Sequence, residues 1–187
     1  MNLILIGPPG AGKGTQAKYL VKKLKNFQVS TGDMLRDEIQ KNSEIGKKIL
    51  DDMSNGKFVD DNIVNKLIEN ILLDPDKKDR LIFDGYPRSL SQAKNLEHLL
   101  IKTDQKIDFI FFLNVSKETI IKRIEQRKII EKRSDDDLET IIKRYETYME
   151  TTKPVLDFYS KNSKFYEIDG SSKIEEITAK IDAFLNV

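Results

Sequence analysis

The chain has 187 residues and a formal net charge of +1, a length that fits one domain and a charge that gives no reason to expect nucleic acid as a partner. Hydrophobic residues make up 39% of it but form no apolar run near the ~18 residues that a membrane span needs, so no membrane partner is expected. It has no cysteine, which excludes disulfide bonds and cysteine-bound zinc, and its first apolar run lacks the basic flank of a signal peptide, so a cytoplasmic location is expected.

Short apolar runs alternate with amphipathic stretches along the chain. The predicted strands are 2–6, 27–30, 80–84, 108–113 and 164–168. The main predicted helices are 13–25, 89–100, 116–126, 138–160 and 174–185. Strands that alternate with helices are typical of a parallel sheet whose crossover helices cover both faces. The sequence therefore predicts an α/β fold built on a five-stranded parallel sheet flanked by helices.

The first predicted strand leads into a glycine-rich loop. Residues 7–15 read GPPGAGKGT, the strand–GxxxxGK–helix pattern of a phosphate-binding loop. Its glycines let backbone N–H groups surround phosphate oxygens, the helix start adds partial positive charge, and Lys13 reaches the outer phosphates. Gly14 stands where the common pattern has a serine or threonine for magnesium, and Thr15 follows it. The loop alone predicts binding of a nucleoside triphosphate.

The stretch between the second and third predicted strands is longer than one crossover helix requires. It holds three helical pieces, at 31–41, 45–53 and 60–72. We therefore expect an inserted helical subdomain at 30–73. Near its start, Thr31 or Asp33 can cap a helix, but capping does not account for Arg36 one turn later.

Polar residues follow the third predicted strand. Asp84 ends that strand, where a carboxylate can hold magnesium through water beside a phosphate loop. Gly85 permits close approach of a ligand, and the forked guanidinium of Arg88 suits a phosphate. Gln92 has both a donor and an acceptor and can read the edge of a base.

Arginine is scarce, with seven residues against 25 lysines. A chain that uses lysine so freely on its surface is expected to keep arginine for sites that need a planar fork with a permanent charge. Arg80 fits an ordinary surface salt bridge, whereas the other six lie in motifs. Residues 127–137 form a charged interruption between two predicted helices, with arginine and aspartate instead of the glycine and serine of a linker.

Taken together, these motifs resemble the adenylate kinase family, enzymes that interconvert ATP plus AMP with two ADP. The matching stretches are 7–17, 30–36, 56–61, 84–93, 123–127, 133–144 and 152–159. The resemblance implies a three-layer P-loop NTPase fold in a single domain, 1–187. Its core would comprise 1–29, 74–126 and 138–187, with a helical NMP-binding insertion at 30–73 and a short lid at 127–137. It also implies a monomer, with no zinc in a lid this brief.

For ATP, the resemblance implies the following binding residues: Gly10, Ala11, Gly12, Lys13, Gly14, Thr15, Arg123, Arg127 and Ser172. Arg123 and Arg127 would bind phosphates as the lid closes, and the backbone near Ser172 would touch the base. Mg²⁺ would accompany ATP, held mainly by phosphates, water and Asp84.

For AMP, the implied residues are Thr31, Arg36, Lys57, Phe58, Val59, Gly85, Tyr86, Pro87, Arg88, Gln92, Arg133 and Arg144. The implied catalytic residues are Lys13, Arg88, Arg123, Arg133 and Arg144. Asp135 and Asp136 would orient the arginines, and no side chain would act as a nucleophile.

Three alternatives stay open. A UMP/CMP kinase of the same fold is disfavoured because that group typically lacks threonine at the position of Thr31 and differs at Gln92. A non-catalytic nucleotide-binding scaffold is disfavoured because simple binding does not need the full arginine set. A relative that uses GTP is disfavoured more weakly, by the short lid.

Overall fold

The structure, a computed structural model, describes residues 1–131 and 138–186, without the side chains of 127–131 and 138. Its strands are β1 (Leu3–Ile6), β2 (Phe27–Ser30), β3 (Leu81–Asp84), β4 (Phe109–Asn114) and β5 (Phe165–Asp169). All neighbouring strands pair in parallel, in the order β2-β3-β1-β4-β5. The predicted five-stranded parallel sheet is confirmed.

The helices connect these strands on both sides of the sheet. They are α1 (Lys13–Leu24), α2 (Thr31–Gln40), α3 (Glu44–Ser54), α4 (Asp61–Leu72), α5 (Leu90–Lys102), α6 (Lys117–Glu131), α7 (Leu138–Thr147), α8 (Lys153–Tyr159) and α9 (Ile174–Leu185). A single 3₁₀ turn, Pro75–Lys77, precedes β3. Among the described residues, no helix is long and apolar enough to cross a membrane.

Strand β1 lies at the centre of the sheet and contributes to two hydrophobic clusters. Leu3 and Leu5 belong to one cluster, whereas Ile4 and Ile6 belong to the other, and each is at most 3% exposed. Alternate residues of a strand point to opposite faces, so a strand covered on both sides is apolar throughout. The result is the three-layer arrangement that the sequence predicts.

The segment of the predicted insertion contains three capped helices, α2 to α4. The cap of α2 is Ser30, whose hydroxyl accepts from the Asp33 N–H, so the expectation that Thr31 or Asp33 is the cap is wrong. Thr31 is instead the first helical residue. Helix α3 lies so close to α2 that a Cβ added to Gly46 would lie 2.1 Å from the Glu38 carbonyl oxygen.

Two helices differ from the predicted ones. Helix α6 continues to Glu131, so residues 127–131 of the charged segment are helical rather than an interruption. The helix predicted at 138–160 is divided by a π-helical turn, Tyr148–Thr152, between α7 and α8. Pro154 explains the break, because it has no N–H and its ring crowds the carbonyl four residues earlier.

Candidate active site

A cavity of about 560 Å³ opens at the carboxyl ends of the central strands. The chain leaves β1 for β2 and β3 on one side and later returns to β4 and β5 on the other, so the strand order reverses beside β1. Ligands of open parallel sheets bind at this switch point. The glycine-rich loop, α2, the 56–59 segment and the loop after β3 all line the cavity.

The glycine-rich loop has the geometry of an anion site. Gly10 and Gly12 have φ values of 80° and 94°, in the left-handed region that favours glycine. Gly12 is the N-cap of α1, so the first N–H groups of the helix point toward the loop and have no acceptor within the helix. Lys13 lies across the same loop, and its Nζ donates to the carbonyls of Gly7 (2.7 Å) and Pro8 (2.9 Å).

Arg123 joins the loop to the segment before α9. Its guanidinium donates to the carbonyls of Ala11 (3.4 Å) and Ser172 (3.3 Å). These contacts bring together three residues that the sequence predicts for one nucleotide, although they are far apart in the chain. The cavity wall includes Ala11 and Arg123 but not Ser172.

Asp84 faces the start of α1 across a narrow gap. A Cβ added to Gly14 would lie 3.5 Å from Asp84 Oδ2, and that oxygen accepts from Gln28 Nε2 at 2.9 Å. Asp84 is 9% exposed and lies at the rim of the phosphate loop. A carboxylate so placed fits Mg²⁺, which keeps several waters and takes one or two protein carboxylates beside substrate phosphates. The described residues contain no group of three or more potential metal-ligating side chains, so phosphates and water would complete the shell.

Three arginines, Arg36, Arg88 and Arg144, line the cavity together with Asp84. Burial, and after it the positive charges of Arg144 and Arg36, lower the pKa of Arg88 to about 10, while Asp84 opposes them. Like charges gathered in a partly closed cavity are costly unless an anion accompanies them. The cluster therefore has the electrostatics of a phosphate site, and Arg88 remains charged at neutral pH.

The Arg88 side chain is fixed from two sides. Its Nε donates to the Gly85 carbonyl at 2.6 Å, and its guanidinium carbon lies 5.3 Å from the centre of the Phe58 ring. Gly85 has a φ of 74°, and a Cβ there would lie 2.8 Å from the Arg88 guanidinium. The absence of a side chain at Gly85 therefore leaves room for the Arg88 guanidinium to fold against this loop. Arg36 in turn forms an ion pair with Asp33.

The comparisons with known proteins agree on one family. The sequence profile of the adenylate kinase family matches residues 5–164. The chain is 49% identical to the adenylate kinase of Pelagibacter ubique over all of both chains. It is 43% identical to that of a Caulobacter species over 100% of this chain and 99% of the relative, and 41% identical to that of Mycoplasma mycoides over 96% and 94%. The chain belongs to the adenylate kinase family.

The chain brings most of the predicted site residues to one cavity. The following line it: Gly10, Ala11, Gly12, Lys13, Gly14, Thr15, Thr31, Arg36, Lys57, Phe58, Val59, Asp84, Gly85, Pro87, Arg88, Gln92, Arg123 and Arg144. Tyr86 does not line the cavity. Its side chain is 1% exposed, and its hydroxyl donates to Asn65 and to the Gln92 carbonyl in the protein interior. Arg133, Asp135 and Asp136 lie outside the described residues, as does the Arg127 side chain.

Two polar residues predicted for AMP are held by other parts of the site. The Thr31 hydroxyl donates to the Gly85 carbonyl at 2.8 Å, which joins α2 to the loop after β3. Gln92 is 2% exposed; its Oε1 accepts from the Arg88 N–H at 2.7 Å and its Nε2 donates to Asp61 at 2.6 Å. One amide hydrogen of Gln92 remains beyond these two bonds, so the amide keeps a donor for a base.

Sequence reasoning missed three residues that orient the adenylate kinase site. Asp61 accepts from Gln92 and from the Ser89 hydroxyl, and Gln28 donates to Asp84. Thr152 donates to the Arg88 carbonyl. Asp61 and Thr152 stand inside the matching stretches 56–61 and 152–159, but nothing in those letters tells which distant group each one contacts.

Proposed function

We propose that this cavity holds ATP and AMP with their phosphates facing each other, the ATP phosphates on the 7–15 loop and the AMP phosphate among Arg36, Arg88 and Arg144. The family's activity is the reversible transfer of a phosphoryl group from ATP to AMP, which gives two ADP. The observation that carries the assignment is the arginine cluster, because it lines the same cavity as the triphosphate loop and Asp84 acts on both, through its charge on Arg88 and its close approach to Gly14. A site for one nucleotide would have no need of it.

The proposed chemistry is electrostatic. Phosphoryl transfer brings two anions together through a loose transition state, so positioning and charge stabilisation provide the catalysis, and no side chain needs to act as a nucleophile. Lys13 and Arg123 would serve the ATP side. Arg88 and Arg144 would serve the AMP side and the transferring group. Arg127 and Arg133 are assigned to the same charge set by the sequence alone.

The magnesium that accompanies ATP would neutralise phosphate charge and fix the geometry of the outer phosphates. Asp84 would bind the water shell of the magnesium ion, and the hydrogen bond from Gln28 would orient the Asp84 carboxylate. Gly14 leaves this space open, because any larger residue there would bring atoms toward Asp84 Oδ2. The chain has no cysteine, and we propose no zinc site.

Exclusion of water is the remaining requirement, since an open site would hydrolyse ATP. We assign it to the insertion, 30–73, and to a short lid at 127–137. The alignment with the Pelagibacter relative runs over 213 positions, whereas this chain has 187 residues, which supports a shortened form. The insertion already touches α7: a Cβ on Gly56 would lie 3.1 Å from the Thr140 carbonyl oxygen and 3.3 Å from Arg144 Cγ.

The acceptor is tested by supplying the purified chain with ATP, Mg²⁺ and one monophosphate at a time. We expect ADP formation with AMP at a kcat/KM at least about 10²-fold above that with UMP, CMP or GMP, because polar groups that pair with one base are left unpaired by another. Thr31 and Gln92 support this preference. A preference for UMP or CMP would replace AMP by a pyrimidine acceptor, and the absence of ADP with every acceptor would favour a non-catalytic scaffold.

We further propose that the enzyme works as a monomer, as the resemblance implies, and in the cytoplasm without nucleic acid or membrane partners, as the composition and charge of the chain indicate. Light scattering coupled to gel filtration tests the first point. A single species of about the 21.6 kDa of the chain is expected, and a dimer would contradict it.

A further inference from the structure

Side chains bind both polar groups of the Arg88 backbone, its N–H and its carbonyl. Gln92 Oε1 accepts from its N–H at 2.7 Å, and Thr152 Oγ1 donates to its carbonyl at 2.9 Å. Thr152 is 3% exposed and lies 64 residues away along the chain. The Arg88 backbone is thus fixed in the loop by contacts that do not involve its guanidinium.

The π-helical turn brings Thr152 to this place. The Lys153 N–H donates to the Tyr148 carbonyl five residues earlier, and Pro154, which has no N–H and crowds the Glu150 carbonyl, interrupts the regular bonding just before α8. Such turns insert one extra residue, which changes the direction of the side chains that follow, and they are frequent at functional sites. Thr152 lines the cavity and is continuous with α7, the helix that carries Arg144.

We propose that Thr152 is a positioning residue for phosphoryl transfer: its hydroxyl ties the Arg88 peptide to the helical segment of Arg144 and so fixes the spacing of the two guanidiniums around the AMP phosphate. The inference rests on the proposed function of Arg88. The tie matters because the two arginines repel each other, and the Thr152 bond opposes their separation.

A simpler role would be that a buried hydroxyl takes the nearest acceptor and matters only for folding. The two roles differ in what happens when Arg88 is already impaired. A residue that acts through Arg88 loses its effect on turnover in that background, whereas a residue needed only for packing keeps it.

The test uses Thr152→Val, which keeps the shape and removes the hydroxyl, and Thr152→Ser, which restores it. One lost hydrogen bond should lower kcat about 5- to 10-fold for Thr152→Val and raise the KM for AMP but not for ATP. Thr152→Ser should return within about twofold of the wild type. The control is Thr151→Val, whose hydroxyl donates to Thr147 within its own helix, at 2.6 Å, and which should stay within about twofold.

The deciding measurement is Thr152→Val in the Arg88→Lys background, where the further loss of kcat should be under about twofold. Wild-type turnover of Thr152→Val, or an equal loss in both backgrounds, overturns the proposal. Wild-type turnover of Arg88→Lys alone would instead overturn the proposed function of Arg88. If Thr152→Val unfolds, the pair Thr152→Ser and Thr152→Cys under reducing conditions repeats the comparison, because both lack the methyl group and only serine keeps the hydroxyl. Equal kcat values for that pair would also overturn the proposal.

Discussion

Replacing Arg88 by lysine keeps one positive charge in the arginine cluster and removes the guanidinium fork. The side chain then loses the bond from Nε to the Gly85 carbonyl, 2.6 Å long, and the planar contact with Phe58. An ammonium group is also a point charge that cannot bind two phosphate oxygens in fixed directions. The backbone of residue 88 keeps its bonds to Gln92 and Thr152, which do not depend on the side chain.

The loss in rate follows from these contacts. Removal of one preorganised donor to developing charge costs about 3 kcal/mol, which corresponds to a fall in kcat of about 10²-fold. The folded state should change little. The lost bond to Gly85 costs about 1 kcal/mol.

The assay is the initial rate of ADP formation with ATP and AMP varied in turn, alongside urea denaturation of both proteins. We expect the kcat of Arg88→Lys to fall about 10²-fold while the free energy of unfolding stays within about 1 kcal/mol. Wild-type turnover would remove Arg88 from the site. A loss of rate that only parallels a loss of folded protein would assign Arg88 to stability.

Three further substitutions test the magnesium site, the AMP site and the packing of the insertion. Asp84→Asn should raise the Mg²⁺ concentration needed for half-maximal rate about tenfold, since a carboxylate beside the metal shell is lost, and an unchanged Mg²⁺ titration would contradict its role. Asp61→Asn weakens the hold on the Gln92 amide and should raise the KM for AMP about 5- to 10-fold but not the KM for ATP, as steady-state kinetics would show. Gly46→Ala forces a Cβ against the Glu38 carbonyl and should lower the free energy of unfolding by about 2 kcal/mol in urea denaturation, and equal stability would refute the close packing of α2 on α3.

Asp60 serves as the control for the Asp61 variant, and Ser54 as the control for the Gly46 variant. Asp60→Asn changes the carboxylate next to Asp61 that caps α4 through the Asn62 N–H, and it should leave the KM for AMP unchanged. Equal effects of the two aspartate changes would mean that the local charge, and not the bond to Gln92, sets the affinity for AMP. Ser54→Ala, in the exposed last turn of α3, is the control for Gly46 and should alter stability by at most about 0.5 kcal/mol.

The centre of the sheet could be predicted almost to the residue because its strands are short apolar runs, whereas the edge strands β2 (FQVS) and β5 (FYEID) carry polar residues. The run 80–84 corresponds to β3, Leu81–Asp84, and 108–113 to β4, Phe109–Asn114. Strands covered on both faces give a strong signal, since no polar residue interrupts them. The sequence shows neither the order of the strands nor the π-helical turn before Pro154, because both depend on how distant segments pack.

The cavity could be predicted in outline for a related reason. Residues 7–15 and 84–92 are local motifs whose glycines and charges indicate phosphate chemistry wherever they fold. The contacts that orient those residues are not local. Thr152 reaches Arg88 across 64 residues and Asp61 reaches Gln92 across 31, so only the fold identifies them. Ser30 replaces Thr31 as the helix cap for the same reason, because the Thr31 hydroxyl is drawn to the Gly85 carbonyl in the tertiary structure.

The central claim is that one cavity receives both nucleotides and passes a phosphoryl group directly between them. The most direct measurement is the stoichiometry of the reaction, with ATP, AMP, ADP and inorganic phosphate all quantified over time in the presence of Mg²⁺. We expect two ADP to form for each AMP consumed, and negligible inorganic phosphate whether or not AMP is present. Release of inorganic phosphate from ATP at a comparable rate without AMP would contradict it, because the cavity would then serve water as the acceptor.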